Sequence, residues 1–218
     1  MSDESLFREV DEEVRQEQFK KLWARYGNAV IGLAILLIVA VAGYQGWRYW
    51  QQKQSESAGD SFFAAAELAA GDKADEALRA FATIDKTGFA ELAKLREAAI
   101  LAGDGKIEEA VKIYDSLAVS PAADQSLRDL AKMRAALVLA DKASFADIEQ
   151  RLKELAGPDS PWRHVAREIM ASVQFRLKDY KGADQQVQAI LGDPSSPAAL
   201  SQRAQTMSQL LKPLLAAP

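Results

Sequence analysis

The feature that most constrains this chain is an uninterrupted apolar run, AVIGLAILLIVAVAG, between Asn28 and Tyr44. A helix from Gly27 to Trp47 would have about 21 residues and a length of about 31 Å, which is the thickness of the hydrocarbon core of a bilayer. Aromatic residues of the kind found at membrane interfaces flank the run at both ends, at Trp23, Tyr26, Tyr44, Trp47, Tyr49 and Trp50. The sequence therefore predicts one transmembrane helix at residues 27–47.

The apolar run has two other interpretations, a core helix and a secretory signal peptide. A core helix that is apolar on every side would need a large domain wrapped around it. A secretory signal peptide is the closer rival, because Ala40-x-Ala42 resembles a cleavage site. However, the 27 residues up to Gly27 carry seven acidic side chains, whereas a signal peptide begins with a short basic segment. A retained membrane anchor is therefore favoured.

Basic residues near the run predict its orientation. Four precede it and two follow it, at Arg15, Lys20, Lys21, Arg25, Arg48 and Lys53. The positive-inside rule then keeps residues 1–26, an amphipathic helical pattern, in the cytoplasm and exports the larger domain. In a bacterium the C-terminal domain would be periplasmic and the anchor would lie in inner membrane lipid. Residues 48–58 are expected to form a polar stalk.

Residues 59–192 read as a series of Ala- and Leu-rich helices separated by short breaks. Tight turns are expected at Gly71-Asp72-Lys73, Gly103-Asp104-Gly105, Asp141-Lys142-Ala143 and Lys178-Asp179. Three residues recur at spacings of 12 and then 4, as Ala65, Ala77 and Phe81, as Ala98, Ala110 and Tyr114, as Ala136, Ile148 and Leu152, and as Ala171, Ala183 and Val187. Small residues at the first position would let the two helices of a hairpin approach closely.

This pattern resembles the tetratricopeptide repeat, in which antiparallel helix pairs stack into a solenoid. The predicted fold is all-α, with an N-terminal transmembrane helix followed by a tetratricopeptide-like helical-hairpin solenoid; a nonrepeating helical bundle is the alternative. Ser120-Pro121, Ser160-Pro161 and Ser196-Pro197 are predicted to begin helices, with Ser as the N-cap. Residues 193–218 are expected to supply a capping helix and a short tail.

Composition excludes some classes of partner and site. The formal net charge is −4, and no polybasic surface is available for nucleic acid. The chain has no cysteine, which excludes disulfides and thiolate metal sites. Nucleic acid is therefore not expected as a partner.

The residues offer little for catalysis. There is one histidine, His164, for which we expect a surface or capping position, and there is no glycine-rich phosphate loop. Trp162 is expected to pack or cap. The acidic pairs Asp75-Glu76 and Glu108-Glu109, and Asp11-Glu12-Glu13, suit helix N-termini. We expect no catalytic, cofactor or metal site, no small-molecule substrate and no enzymatic activity.

A partner-binding groove is expected along the first helices of the hairpins, since stacked first helices present a continuous surface. Its predicted residues are Leu92, Leu95, Ala99, Leu130, Met133, Leu137 and Phe175, with Val165, Glu168 and Ser172 beside them. Such an apolar groove suits an extended peptide or an amphipathic helix. The alternative is that these side chains fill the core or are covered by the last helix.

The order of segments carries a further resemblance. The stretch VDEEVRQEQFKKLWARYGNAVIGLAILLIVAVAGYQGWRYWQQ, followed by Ala-rich repeats, resembles the ancillary SecYEG translocon subunit family over the whole chain. The resemblance implies a scaffold that links the SecYEG translocon to periplasmic chaperones or emerging polypeptides. A related group of proteins with similar repeats coordinates cell-envelope constriction during division. The resemblance therefore implies an alternative function for this chain, as a periplasmic coordinator of that constriction. Both of these functions are those of interaction proteins. An enzyme with an unrecognised active site is the alternative from another functional class.

Overall fold

The structure is a computed structural model that describes residues 3–71, 73–85 and 88–216. Within these residues every regular element is an α-helix, so the predicted all-α fold is confirmed. The helices are α1 (Asp3–Ala70), α2 (Ala74–Ala82), α3 (Phe89–Gly103), α4 (Ile107–Ala118), α5 (Gln125–Leu139), α6 (Phe145–Leu152), α7 (Arg163–Arg176), α8 (Tyr180–Leu191) and α9 (Ala198–Ala216).

Some expectations concern residues that the structure does not describe. The turn residue Asp72 and the last two residues of the tail, Ala217 and Pro218, are among them. The side chains of residues 3–19, 21 and 22 also lie outside the described part, including the acids Asp11, Glu12 and Glu13.

The chain divides into two compact units, Met1–Glu56 and Ser57–Pro218. In the first unit every residue from 23 to 50 is exposed except Gly27, which lies under the ring of Trp23. The apolar run is therefore not a core helix of that unit. Helix α1 contains one segment that is long and apolar enough to cross a membrane. The predicted limits of anchor, stalk and repeats stay predictions.

The second unit is built of helical hairpins. The end of α1 pairs with α2, α3 with α4, α5 with α6, and α7 with α8, and short turns join each pair at the predicted positions. First helices of successive hairpins also pack together, α5 against α7 and α7 against α9. The acidic pairs Asp75-Glu76 and Glu108-Glu109 occupy the first turns of α2 and α4, where the helix dipole favours them.

The repeating residues lie at the centre of each hairpin. All twelve positions of the 12-and-4 pattern are at most 2% exposed. Each triple belongs to a separate hydrophobic cluster, and each cluster also contains residues of the helix that follows the hairpin, so every core joins a hairpin to its next neighbour. The first two positions of each triple are alanine, except for Ile148. A larger side chain at these positions would hold the paired helices apart.

Two of the hairpin turns share one backbone geometry. Gly105 and Lys178 both have positive φ, +78° and +63°. The turns carry the same pair of backbone hydrogen bonds, which join Gly105 N to Ala102 O and Lys106 N to Leu101 O in one and Lys178 N to Phe175 O and Asp179 N to Gln174 O in the other. This is the Schellman arrangement that ends a helix with a left-handed residue.

The prediction that Ser-Pro pairs begin helices is wrong for two of the three pairs. Helix α5 begins later and is capped by Asp124, whose Oδ1 accepts the Leu127 N–H at 2.7 Å. The hydroxyls of Ser120 and Ser160 instead accept the N–H two residues on, at Ala122 and Trp162. These serines stabilise short turns that precede the helices. Ser196-Pro197 directly precedes α9.

Helix α9 covers the last hairpin. Its buried residues Ala204 and Leu211 share a cluster with Ala183, Val187 and Ile190 of α8. An ion pair between Arg203 and Glu168, with distances of 2.5 and 2.8 Å, joins α9 to α7. Helix α9 therefore covers the apolar side of the α7–α8 hairpin.

Candidate partner-binding cavity

A cavity of about 390 Å³ opens where the first helices of three successive hairpins begin. We call it the first-helix cavity. The N-terminal turns of α3 and α5, the loop before α5 and the N-cap residue of α7 line it, with Gly88, Glu91, Leu92, Ala122, Ala123, Asp124, Ser126, Leu127, Leu130 and Trp162. Of the residues that the structure describes, four large apolar side chains and two acids face the cavity, and no base does.

Glu91 is the unusual residue of the first-helix cavity. It stands in the first turn of α3, where the helix dipole stabilises a negative charge. The residue is only 7% exposed. Its Oε1 lies 3.3 Å from Lys94 Nζ, whereas Oε2 is buried and has no hydrogen-bond partner within the described part of the chain. A buried carboxylate oxygen without a donor is costly, so the Glu91 carboxylate can still accept a hydrogen bond once it turns toward the cavity.

The predicted groove residues are spread over four environments. Leu92 and Leu130 both line the first-helix cavity. Ala99 and Leu137 are exposed outside it. Met133 is buried at 5% exposure in the α5–α7 core, so it does not contribute to an open groove surface. Leu95 and Phe175 are half-buried against the clusters of their own hairpins, Phe175 beside Tyr180.

A second cavity lies farther along the first helices, between α7, α8 and α9. It has a volume of about 310 Å³ and an apolar lining that includes Ala171, Met207 and Leu210. Glu168 and Ser172, which were placed beside the predicted groove, also line it. The Glu168–Arg203 ion pair closes one edge, and the nearby carboxylate raises the pKa of the Arg203 guanidinium. Helix α9 therefore covers part of the surface that the sequence assigned to the groove.

A third cavity, of about 850 Å³, lies between α4 and α6 over α5. It is crossed by a two-pronged ion pair between Arg151 and Asp115, and Lys132 pairs with Glu154 at 3.0 Å on its margin. This cavity was not predicted from the sequence. Its residues come from different hairpins at irregular spacing, so the repeat pattern gives no signal for them.

The expected surface position of His164 is wrong. The imidazole is 4% exposed, and its Nε2 lies 2.9 Å from Asp193 Oδ2. Arg163 Nε donates to the same oxygen at 2.7 Å, and the Ser195 N–H and hydroxyl donate to Oδ1. Hydrogen bonds from Arg163, then Ser195 and His164, hold the pKa of the Asp193 carboxyl well below its usual range. This cluster fixes the α8–α9 connection to the start of α7.

Other chemistry finds little support in the described residues. Among the side chains that the structure describes, no group of three or more His, Cys, Asp or Glu residues is arranged to hold a metal ion. Ser195 donates to Asp193 rather than to His164, so these three residues do not form the hydrogen-bond chain of a nucleophilic triad.

Four hairpins with equivalent buried positions, a covering helix and an apolar cavity at the first helices define a helical-repeat protein. The family model of the tetratricopeptide repeat-like domain matches residues 20–160, more than half of the 218 residues. The chain therefore belongs to the tetratricopeptide repeat-like domain family. Neither the curated proteins nor the solved structures gave a significant match.

The residues matched by the family model include parts of both compact units. The match begins before the apolar run and ends just before α7, although α7 and α8 repeat the same hairpin. Domains with this fold typically act as scaffolds that bind other proteins, and no catalytic family is indicated. The family thus supports a scaffold, while the partner is a matter for proposal.

Proposed function

We propose that this chain is a membrane-tethered interaction scaffold at a bacterial secretion channel. In this proposal residues 27–47 anchor the chain in the inner membrane, residues 1–26 are cytoplasmic, and the repeats are periplasmic. The scaffold links the SecYEG translocon to periplasmic chaperones or to emerging polypeptides. One observation carries the proposal: a tetratricopeptide-like domain with an apolar first-helix cavity belongs to the same chain as a membrane-length apolar segment.

The cavity supports contact with a polypeptide. Leu92, Leu127, Leu130 and Trp162 offer apolar surface to side chains of an extended segment, as in other grooves that bind peptides. A membrane tether keeps the domain near the site where polypeptides emerge, which raises the effective concentration of weak partners. No covalent chemistry is needed for such a role. The resemblance of the N-terminal stretch to translocon subunits supports the choice of channel.

The first experiment tests the partner. A photo-crosslinking amino acid at Leu92 in the full chain, within native bacterial membranes, should give crosslinks to channel subunits, periplasmic chaperones or nascent secreted chains. The matched control is Leu177, which is 44% exposed against 39% for Leu92 but does not line the first-helix cavity. Crosslinks of equal pattern at both positions would reject the cavity as the contact site. Recovery of division-site proteins alone would reject the channel.

The second experiment tests topology. A protease added to intact spheroplasts should digest the repeats and leave the N-terminal segment protected. Protection of the repeats would contradict the proposed orientation. A mature protein that begins after Ala42 would show that the apolar run is a cleaved signal and would remove the tether.

A further inference from the structure

We infer that the first-helix cavity selects polypeptide segments that carry an arginine or lysine side chain, and that Glu91 receives this cation. The inference rests on the proposed function, because it names the chemistry of the polypeptide that the cavity binds. Three features of the described residues carry it: the charge of the cavity lining, the unpaired carboxylate oxygen of Glu91 and the apolar walls beside it.

The charge of the lining favours a cation. Glu91 and Asp124 are the charged residues that face the cavity within the described part of the chain, and both are acidic. The helix N-termini around the cavity would attract an anion, but acids already stand there: Asp124 caps α5 and Glu91 stands in the first turn of α3. An acidic ligand would meet these two carboxylates, and no base among the described lining residues would pair with it.

Glu91 has one oxygen that its own chain does not satisfy. Lys94 pairs only with Oε1, and the Lys94 side chain is half exposed. Since the terminal torsion of a glutamate is broad, the carboxylate can turn either oxygen toward the cavity. A guanidinium or ammonium group that enters would supply the missing donor and make a charge-assisted hydrogen bond.

The walls suit the rest of a basic side chain. Arginine and lysine carry apolar stems that pack on apolar surface while the charged head reaches a polar group. Leu92, Leu127 and Leu130 provide that surface, and the ring of Trp162 adds a face for a cation. A purely apolar side chain would fill the same walls but leave Glu91 Oε2 without a donor. The cavity therefore distinguishes basic from neutral side chains rather than merely accepting apolar ones.

The test measures binding of four fluorescein-labelled peptides to the full chain in non-ionic detergent micelles, by fluorescence anisotropy. The first peptide is Ser-Gly-Leu-Ala-Arg-Ala-Leu-Gly-Ser, and the others carry Lys, Gln or Glu in place of the central Arg. The Arg and Lys peptides should bind about tenfold more tightly than the Gln peptide, as expected for one buried charged hydrogen bond. The Glu peptide should bind most weakly.

Variants locate the preference. Glu91→Gln should bring the Arg and Gln peptides to nearly equal affinity while the affinity for the Gln peptide is retained. The matched control is Glu76→Gln, which removes another first-turn acid that pairs with a lysine three residues away, Lys73, but is exposed outside the cavity. The control should keep the wild-type preference. Lys94→Gln should tighten binding of the Arg peptide, because the competing internal cation is gone.

The possible outcomes distinguish failure of the inference from failure of the proposed peptide-binding function. Equal binding of Arg and Gln peptides to the wild-type chain, or an unchanged preference in Glu91→Gln, would overturn the inference and leave a peptide-binding cavity. Failure of all four peptides to bind would overturn the peptide-binding cavity itself and the inference with it. Circular dichroism of each variant shows whether the helices remain folded, and Lys94→Gln tests the inference without touching Glu91.

Discussion

At the scale of single residues, the α7–α8 hairpin depends on the absence of a side chain at Gly182. A Cβ at this position would lie 2.0 Å from Gln174 Nε2 and 2.2 Å from Asp179 Oδ2. These two groups are hydrogen-bonded to each other at 2.9 Å, and Asp179 also caps α8 through the Gly182 N–H. A methyl group must therefore break the contact between the buried Gln174 and the cap of the next helix.

We expect Gly182→Ala to lower the free energy of unfolding by about 1–3 kcal/mol, the usual cost of overpacking. Thermal unfolding followed by circular dichroism checks this. The control is Gly103→Ala, where nothing lies within 4 Å of the new Cβ and the change should be neutral or stabilising. Equal melting temperatures for Gly182→Ala and the wild type would show that the hairpin adapts to the methyl group.

Asp193 gives a prediction for pH dependence. Because the pKa of Asp193 is lower in the folded protein than in the unfolded chain, its ionised form stabilises the fold above the ordinary carboxyl pKa of about 4. That stabilisation is lost as the pH falls below this value toward the lower pKa of the folded state. Asp193→Asn should thus be less stable than the wild type at pH 7, with the difference shrinking as the pH falls from about 5 to about 3.

Urea unfolding at a series of pH values measures this difference. The exposed acid Asp159, which lies outside the helices, serves as the control: Asp159→Asn should change the pH profile of the wild type far less than Asp193→Asn does. A constant stability difference between Asp193→Asn and the wild type across this range would contradict the assignment.

At the scale of elements, the shared Schellman turn predicts opposite effects at equivalent positions. Lys178 occupies in the α7–α8 turn the left-handed position that Gly105 occupies in the α3–α4 turn. A side chain in this conformation is strained by about 1 kcal/mol. Lys178→Gly should therefore raise stability by up to about 1 kcal/mol, and Gly105→Ala should lower it by a similar amount. Melting temperatures of the two variants test the pair, and a loss of stability in Lys178→Gly would contradict it.

Elements also show what sequence could and could not predict. The hairpins were predictable because the closest contact of two paired helices recurs at one spacing, 12 and then 4 residues, in all four units. The start of α5 was not predictable. The Ser120 hydroxyl accepts a hydrogen bond from the Ala122 N–H in a turn that precedes the helix, so the helix begins later than the Ser-Pro pair indicates. The buried position of His164 was not predicted, because its partner Asp193 is 29 residues away in the sequence. The two residues meet only in the folded hairpin, and neither belongs to the repeating pattern.

The same distinction applies to the candidate site. Leu92 and Leu130 could be assigned to one surface because they occupy first helices of successive hairpins. Glu91 was overlooked because an acid in the first turn of a helix is ordinary in sequence, and only its burial makes it unusual. Met133 was assigned to the groove because an apolar residue of a first helix can face either the groove or the neighbouring hairpin. Which of the two surfaces Met133 faces depends on the rotation of α5 about its axis. The helical periodicity of the sequence alone does not determine that rotation.

At the scale of the whole molecule, the four clusters imply that stability is carried by near neighbours, because each cluster joins one hairpin to the helix that follows it. Leu211 of α9 is fully buried over the last cluster, whereas Leu210 beside it is 54% exposed. Leu211→Ala should cost about 2–5 kcal/mol of local stability, and Leu210→Ala should cost far less. Hydrogen exchange by mass spectrometry should show faster exchange in α8 and α9 of Leu211→Ala, with α3 and α4 unchanged. Uniformly faster exchange would instead show that the hairpins unfold as one unit.

The single buried imidazole offers a native spectroscopic probe. His164 is the one histidine of the sequence, and it lies where α7 meets the α8–α9 connection through Asp193. Its ring protons should thus give an isolated pair of signals in a magnetic resonance spectrum, free of overlap from other histidines. Those signals would report on the junction that carries the covering helix, in the unlabelled protein and without any engineered tag.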